Sequence, residues 1–232
     1  MAPTDSLAGR LYLLGCRPDS ERPPSGPGAA PRLRACALAE LWLSGLVVAD
    51  GARAVEDAKS LVAVVGGRAH PDPVAAALLA EIGARKKPRS WIWWVGHGER
   101  ATARAVQDQL AASGVIEVTR SRWLGVIPRT RVHVGDPAGV EAQRTAIRAI
   151  LLGSAPVAEL DRRELVLVAL ALAGEVKPLR DRAERRAARG RVDEIFAAVG
   201  PVPAALRKVI QTKKSEAAGG AAAVAATGAT SS

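Results

Sequence analysis

Aromatic side chains are scarce in this chain: 3% of 232 residues, supplied by five tryptophans, one tyrosine and one phenylalanine. Aliphatic side chains must therefore fill most of the core. Cysteine is almost absent too. Cys16 and Cys36 are the only two, too few for a disulfide framework or a cysteine-rich metal site, and they read as small buried thiols in a reducing compartment. No long apolar run occurs. The longest, Leu165 to Gly174, is roughly half of the ~20 residues a bilayer span needs. The opening Met-Ala-Pro-Thr-Asp-Ser-Leu has neither a basic nor an apolar signal region. The expectation is a cytoplasmic protein whose membrane contact, if any, is peripheral.

Catalytic signatures are missing as well. His70, His97 and His133 lie far apart, and no H-x-x-x-H, Cys/His cluster, P-loop or G-x-S-x-G occurs. Cys16 has no obvious histidine partner for nucleophilic catalysis. No metal, no cofactor and no enzymatic activity are expected.

What the chain does have is positive charge. Thirty-three Lys and Arg against 23 Asp and Glu give a net charge of +10. Such a field attracts phosphate-bearing partners, either nucleic acid or an anionic membrane surface. Near an anionic bilayer each cation contributes roughly 1 kcal/mol. Charge alone does not choose between the two.

Helical spacing of Leu7, Leu11 and Leu14 predicts a short helix over Ser6 to Gly15. A proline-rich loop follows from Arg17 to Pro31, then a helix from Arg32 to Ser44 stopped at Gly45. Leu46 to Val48 and Leu61 to Val65 read as a hairpin turning near Asp50-Gly51. Asp72 caps a helix that opens with Pro73 and closes with basic residues at Lys86. Ser90 caps the tryptophan-rich segment, and a helix runs from Arg100 to Ser113. A second hairpin pairs Val115 to Val118 with Trp123 to Val134. Further helices are expected at Pro137 to Leu152, Ala158 to Glu175 and Val192 to Val199, with a basic stretch from Asp181 to Arg191. Asp161-Arg162-Arg163-Glu164 reads as an exposed helix start. Beyond Thr212 the composition turns to Ala/Gly/Ser/Thr low complexity, so one domain is expected over 1–212 and a disordered tail over 213–232.

One local pattern occurs twice. Leu41 to Val47 and Leu110 to Ile116 each end a helix at Ser-Gly and enter a strand. Helix–hairpin units also build winged-helix DNA-binding domains, which keeps that alternative open. Gly96-His97-Gly98-Glu99-Arg100-Ala101 fits a dinucleotide fingerprint. Its context is wrong for one, because no series of βαβ units precedes it, and a glycine-relaxed join between helices is the expected reading.

Several blocks together resemble the Golgi phosphoprotein 3 family, in particular its shorter bacterial members. They are Leu33-Arg34-Ala35-Cys36-Ala37-Leu38-Ala39-Glu40-Leu41 with Ser44-Gly45, Leu110 to Ile116 with Trp123-Leu124-Gly125-Val126-Ile127-Pro128-Arg129-Thr130-Arg131, and Asp161 to Leu165 opening an apolar helix. Leu7 to Leu14 resembles the family's leucine-rich start. The resemblance implies a mainly α fold, a helical bundle decorated with small β-hairpins and amphipathic loops. It also implies a basic pocket for the headgroup of phosphatidylinositol 4-phosphate, a peripheral anionic-membrane partner and, in eukaryotic members, protein cargo. No specific nucleic acid is expected on this reading.

Carried over by position, Arg34 and Arg100 fall on family phosphate-binding arginines. The third position is Ala103, with Arg104 beside it. The family's pocket tryptophan falls in the proline-rich loop around Ser25, where Arg17, Arg22 or Arg32 would have to compensate. In the second hairpin, Trp123, Leu124, Val126 and Ile127 make an apolar tip, collared by Arg120, Arg122, Arg129 and Arg131. That tip suits shallow membrane insertion, and equally suits packing on the bundle or on a second copy in a homo-oligomer.

Overall fold

The computed structural model describes residues 1–17, 20–50, 57–123 and 127–228. Helix α1 spans Leu7–Gly15 and α2 spans Ala29–Leu43. A small antiparallel sheet comprises β1 (Val47–Asp50), β2 (Leu61–Val64) and the short β3 (Arg89–Ser90). Helices α3 (Pro73–Gly83), α4 (Trp91–Gly96) and α5 (Glu99–Ala112) come next. Then β4 (Ile116–Trp123) and β5 (Ile127–Val134) form a separate hairpin. The chain continues with α6 (Pro137–Leu152), a 3-10 turn at Val157–Glu159, α7 (Arg162–Ala173), α8 (Arg182–Ala187), α9 (Arg189–Ala198) and α10 (Pro201–Gly228). The architecture is mainly α with small hairpins, as the residue pattern predicts.

Local chemistry sets most boundaries. Ser6, Asp72, Ser90, Asp136 and Asp161 each accept a backbone N–H from the first turn of the following helix. The two Ser-Gly stops behave alike. Gly45 and Gly114 take left-handed φ values of 69° and 73°, which a residue without Cβ adopts at no steric cost. Each lets the next residue bond back into its helix, Leu46 N–H to Leu41 O at 2.9 Å and Val115 N–H to Leu110 O at 3.0 Å.

The central element is α2. From Pro31 to Leu41 every residue is buried, because α1, α3, α4, α5, α7 and α10 all pack around it. Small residues at 35, 36, 37 and 39 let those neighbours approach. A helix enclosed on all sides must still satisfy its charges. Glu40 does so by accepting the Leu7 N–H at 2.7 Å and both arms of Arg163 at 2.5 and 2.6 Å. This knot joins the start of α1 to α2 and α7. Glu164 in turn pairs with Arg10 at 2.5 and 2.8 Å. The segment expected as an exposed helix start is therefore an anchor. Aromatics are few but central: Trp91 and Trp94 are among the largest fully buried side chains, and Trp91 Nε1 donates to Ser60 Oγ at 3.0 Å.

Other differences from the sequence reading have local causes. Helix α2 starts at Ala29 rather than Arg32, since Pro31 is tolerated in a first turn where its missing N–H has no partner to lose. Helix α3 stops at Gly83, which releases Arg85, Lys86 and Lys87 into the turn that follows. Strand β4 extends to Trp123, which faces Ile127 across the ladder, so Trp123 belongs to the first strand and not the second. The helix expected from Ala158 breaks at the Asp161 cap, and its Glu175 end lies beyond Ala173. The basic stretch is itself helical as α8 and the start of α9. Helix α10 runs on through the stretch expected as a disordered tail, to Gly228. The first hairpin's turn, 51–56, lies outside the described residues.

Candidate anion-binding site

Arg34 and Arg32 leave α2 two residues apart, about 200° around the helix, and so face different neighbours. Arg34 points at α4 and α5 and is 2% exposed. Its Nε donates to Trp94 O at 3.3 Å, and Nη1 donates to Thr102 Oγ1 at 3.0 Å. Both terminal nitrogens grip Glu81, at 3.3 and 2.5 Å. Gly98 lies against this guanidinium: a Cβ there would sit 3.3 Å from Nη2, at a φ of 72°. The Gly-x-Gly segment is thus the join between α4 and α5 that lets Arg34 in. A helix, not a strand, precedes it, which overturns the dinucleotide fingerprint.

Glu81 itself is half-exposed, at 48% of its side chain. It opens onto a shallow hollow of about 600 Å³ lined also by Ala84, Arg85, Lys86, Lys87, Arg89 and His97. Trp93 organises one wall. Arg85 lies 4.2 Å over its ring and Arg89 5.5 Å, while His97 stacks on it at 4.0 Å. No carboxylate pairs with Arg85, Lys86, Lys87 or Arg89 among the described residues. Planar guanidinium forks and ammonium groups in this setting are suited to phosphate.

The other expected site residues do not converge on Arg34. Arg100 and Arg104 are exposed and one turn apart on α5, on the side away from the buried Thr102 that touches Arg34. Arg129 and Arg131 are exposed on β5, and Arg131 lies 3.3 Å from Glu21. Arg120 lies 3.5 Å from Asp108. Leu124 and Val126 fall outside the described residues, and Trp123 and Ile127 are placed by backbone alone. Ser25, Arg17, Arg22 and Arg32 meet in a different cleft, on the other side of α2, together with Arg144 and Lys177.

The remaining reactive groups are held inert. Burial pushes the Cys16 thiol up to about 11 and the Cys36 thiol well above its ordinary value; burial likewise raises the Tyr12 phenol. No group of three His, Cys, Asp or Glu is placed to hold a metal among the described residues. No helix among them is long and apolar enough to cross a membrane. Helix α2 is enclosed and cannot enter a DNA groove, which removes one of the two helix–hairpin units from the winged-helix reading.

Sequence reasoning passed over the 85–89 turn, taking its cations as the end of a helix. A visible signal was there: Arg85-Lys86-Lys87-Pro88-Arg89 directly precedes the tryptophan-rich segment. Glu81, Arg144 and Lys177 carry no local signal at all.

Fold and site define a helical-bundle protein with small hairpins and cationic hollows, rather than a dinucleotide-binding module. The chain belongs to the Golgi phosphoprotein 3 (GPP34) family, whose model matches residues 7–212. Among curated proteins none matches the chain.

Proposed function

We propose that this protein binds anionic membrane surfaces peripherally, from the cytoplasm, and takes phospholipid headgroup phosphate on the cationic hollow beside Arg34. The observation that carries the reading is the set of four cations on the 85–89 turn, unpaired with carboxylate among the described residues, next to the half-buried Trp93. Glu81 holds the Arg34 fork, so the rim cations make the first contact and Arg34 becomes available only when Glu81 turns away. Exposed Arg100, Arg104 and Arg129 add charge elsewhere on the surface. Phosphatidylinositol 4-phosphate is the headgroup that family resemblance favours. The adaptor role of eukaryotic members extends the same reading, with protein cargo carried by the lipid-held protein.

The test is vesicle flotation at physiological salt with neutral, generic anionic and phosphatidylinositol 4-phosphate vesicles. The wild type should float with anionic vesicles only. Arg85→Ala/Lys87→Ala/Arg89→Ala should lose about 100-fold in affinity, three cations at roughly 1 kcal/mol each. A wild type that ignores every anionic vesicle sinks the reading, and retention of duplex DNA by the same sample would replace it.

A further inference from the structure

Arg32 presents the opposite situation to Arg34. It is 6% exposed, and its side chain lies in a slot between two glycines. A Cβ on Gly15 would fall 2.2 Å from its Nη2, and one on Gly174 would fall 3.0 Å from its own Cβ. Its Nε is buried without a hydrogen-bond partner. No carboxylate pairs with the guanidinium among the described residues. The titratable groups that face it are Tyr12, Cys16 and Cys36, and burial keeps all three neutral. A guanidinium does not give up its proton in proteins, so this is a permanent charge, mostly buried, with its Nε shut off from water and no counter-ion among the described residues. Such an arrangement is strongly unfavourable unless something negative completes it.

The space for that partner is present. Arg32 lines a cleft of about 470 Å³, within the ~300–1,000 Å³ range of small-molecule sites. Arg17, Arg22 and Lys177 stand exposed around it. Arg144 is pinned into the wall by donating to Leu14 O at 3.0 Å and Cys16 O at 2.6 Å. Glu175 is the carboxylate nearest the mouth, and Lys214 engages it from α10. Glu175 also sits at a left-handed φ of 61°, a conformation that costs a non-glycine residue energy and concentrates at ligand-binding places.

We propose that this cleft is a binding site for a phosphate group, with Arg32 as the buried counter-charge and Arg17, Arg22 and Lys177 as the rim. The phosphate is either that of a lipid headgroup reaching in from a membrane or that of a free phosphomonoester. The site lies on the far side of α2 from the Arg34 hollow and stands whether or not the protein binds membranes.

The experiment is thermal melting of the full chain with inorganic phosphate or an inositol phosphate, against chloride at equal ionic strength, paired with flotation on phosphoinositide vesicles. Phosphate or inositol phosphate should raise the wild-type melting temperature saturably. Arg32→Met should abolish that rise while melting no lower than the wild type without ligand, because it replaces an unpaired buried charge with an apolar chain of similar length. The exposed pair Arg17→Ala/Lys177→Ala keeps the test decisive should Arg32→Met fail to fold: its response should shift to about tenfold higher ligand. Arg85→Ala/Arg89→Ala, which should weaken flotation, should keep the wild-type melting response to inositol phosphate, and that split separates this site from the membrane reading. A response to phosphoinositide vesicles alone, lost in both cleft variants, would support the site and assign the lipid as its source. Wild-type melting and flotation indifferent to phosphate in every form, or a melting response to inositol phosphate that survives in the cleft variants, would overturn it.

Discussion

Arg32 and Arg34 are the same residue type on the same enclosed helix, and burial alone does not distinguish them. Their partners do. Arg34 spends its donors on Trp94 O, Thr102 and Glu81, and so helps tie α2 to α3, α4 and α5. Arg32 has no such partner among the described residues and faces a cleft ringed with further cations. A buried charge whose neighbours complete it is structural in the absence of ligand. One whose neighbours share its sign is a place where something is missing. The position that family resemblance nominates for phosphate is thus already occupied by the protein's own carboxylate, whereas the residue two positions earlier is open.

Substitutions at the two arginines should move stability in opposite directions. Arg34→Met removes the donors to the Thr102 hydroxyl, to Trp94 O and to Glu81 from a buried position. It should cost about 3 kcal/mol in urea unfolding; a loss below about 1 kcal/mol would erase the contrast. Arg32→Met should leave stability equal or raise it by about 1–2 kcal/mol without phosphate, and a clear loss would show that Arg32 has partners this comparison denies it. Glu81→Gln should cost under about 1 kcal/mol, because Glu81 is half-exposed and screened by water. The same variant frees part of the Arg34 fork, so its vesicle affinity should rise; a fall would mean that Glu81 organises the hollow rather than blocking it.

The ion pair between α6 and α8, which involves neither arginine, supplies the reference. Arg148 donates two hydrogen bonds to Glu184, holding that carboxyl at about 2 against an ordinary 4.5. A depressed carboxylate stabilises the fold above its unfolded value, and that contribution is lost as pH falls from about 4.5 towards 2. Melting temperatures across that window should fall less steeply in Glu184→Gln than in the wild type. Equal slopes would mean that the pair contributes nothing measurable.

Much of the scaffold was legible because its determinants are local. Asp72-Pro73, Ser90 and the two Ser-Gly stops announce their boundaries within a few residues, and the structure places them accordingly. The site was legible only in part. Arg34, nominated as a headgroup-binding residue, lies buried against Glu81 and Thr102, and Arg100 and Arg104 do not join it, because the turn geometry of α5 points Thr102 inward and the two arginines out. Arg163 and Glu164 looked exposed in sequence and are instead seated on Glu40 and Arg10, partners 123 and 154 residues away.

The sequence by itself determined the helical class, the hairpins, the positive field and the lack of any apolar run long enough to span a bilayer, since each follows from composition or from spacing within one or two turns. Only the tertiary structure decided which charges are satisfied. Pairing depends on which helix faces cross α2, and a 200° step between neighbouring arginines sends one to a waiting carboxylate and the other into a cationic cleft.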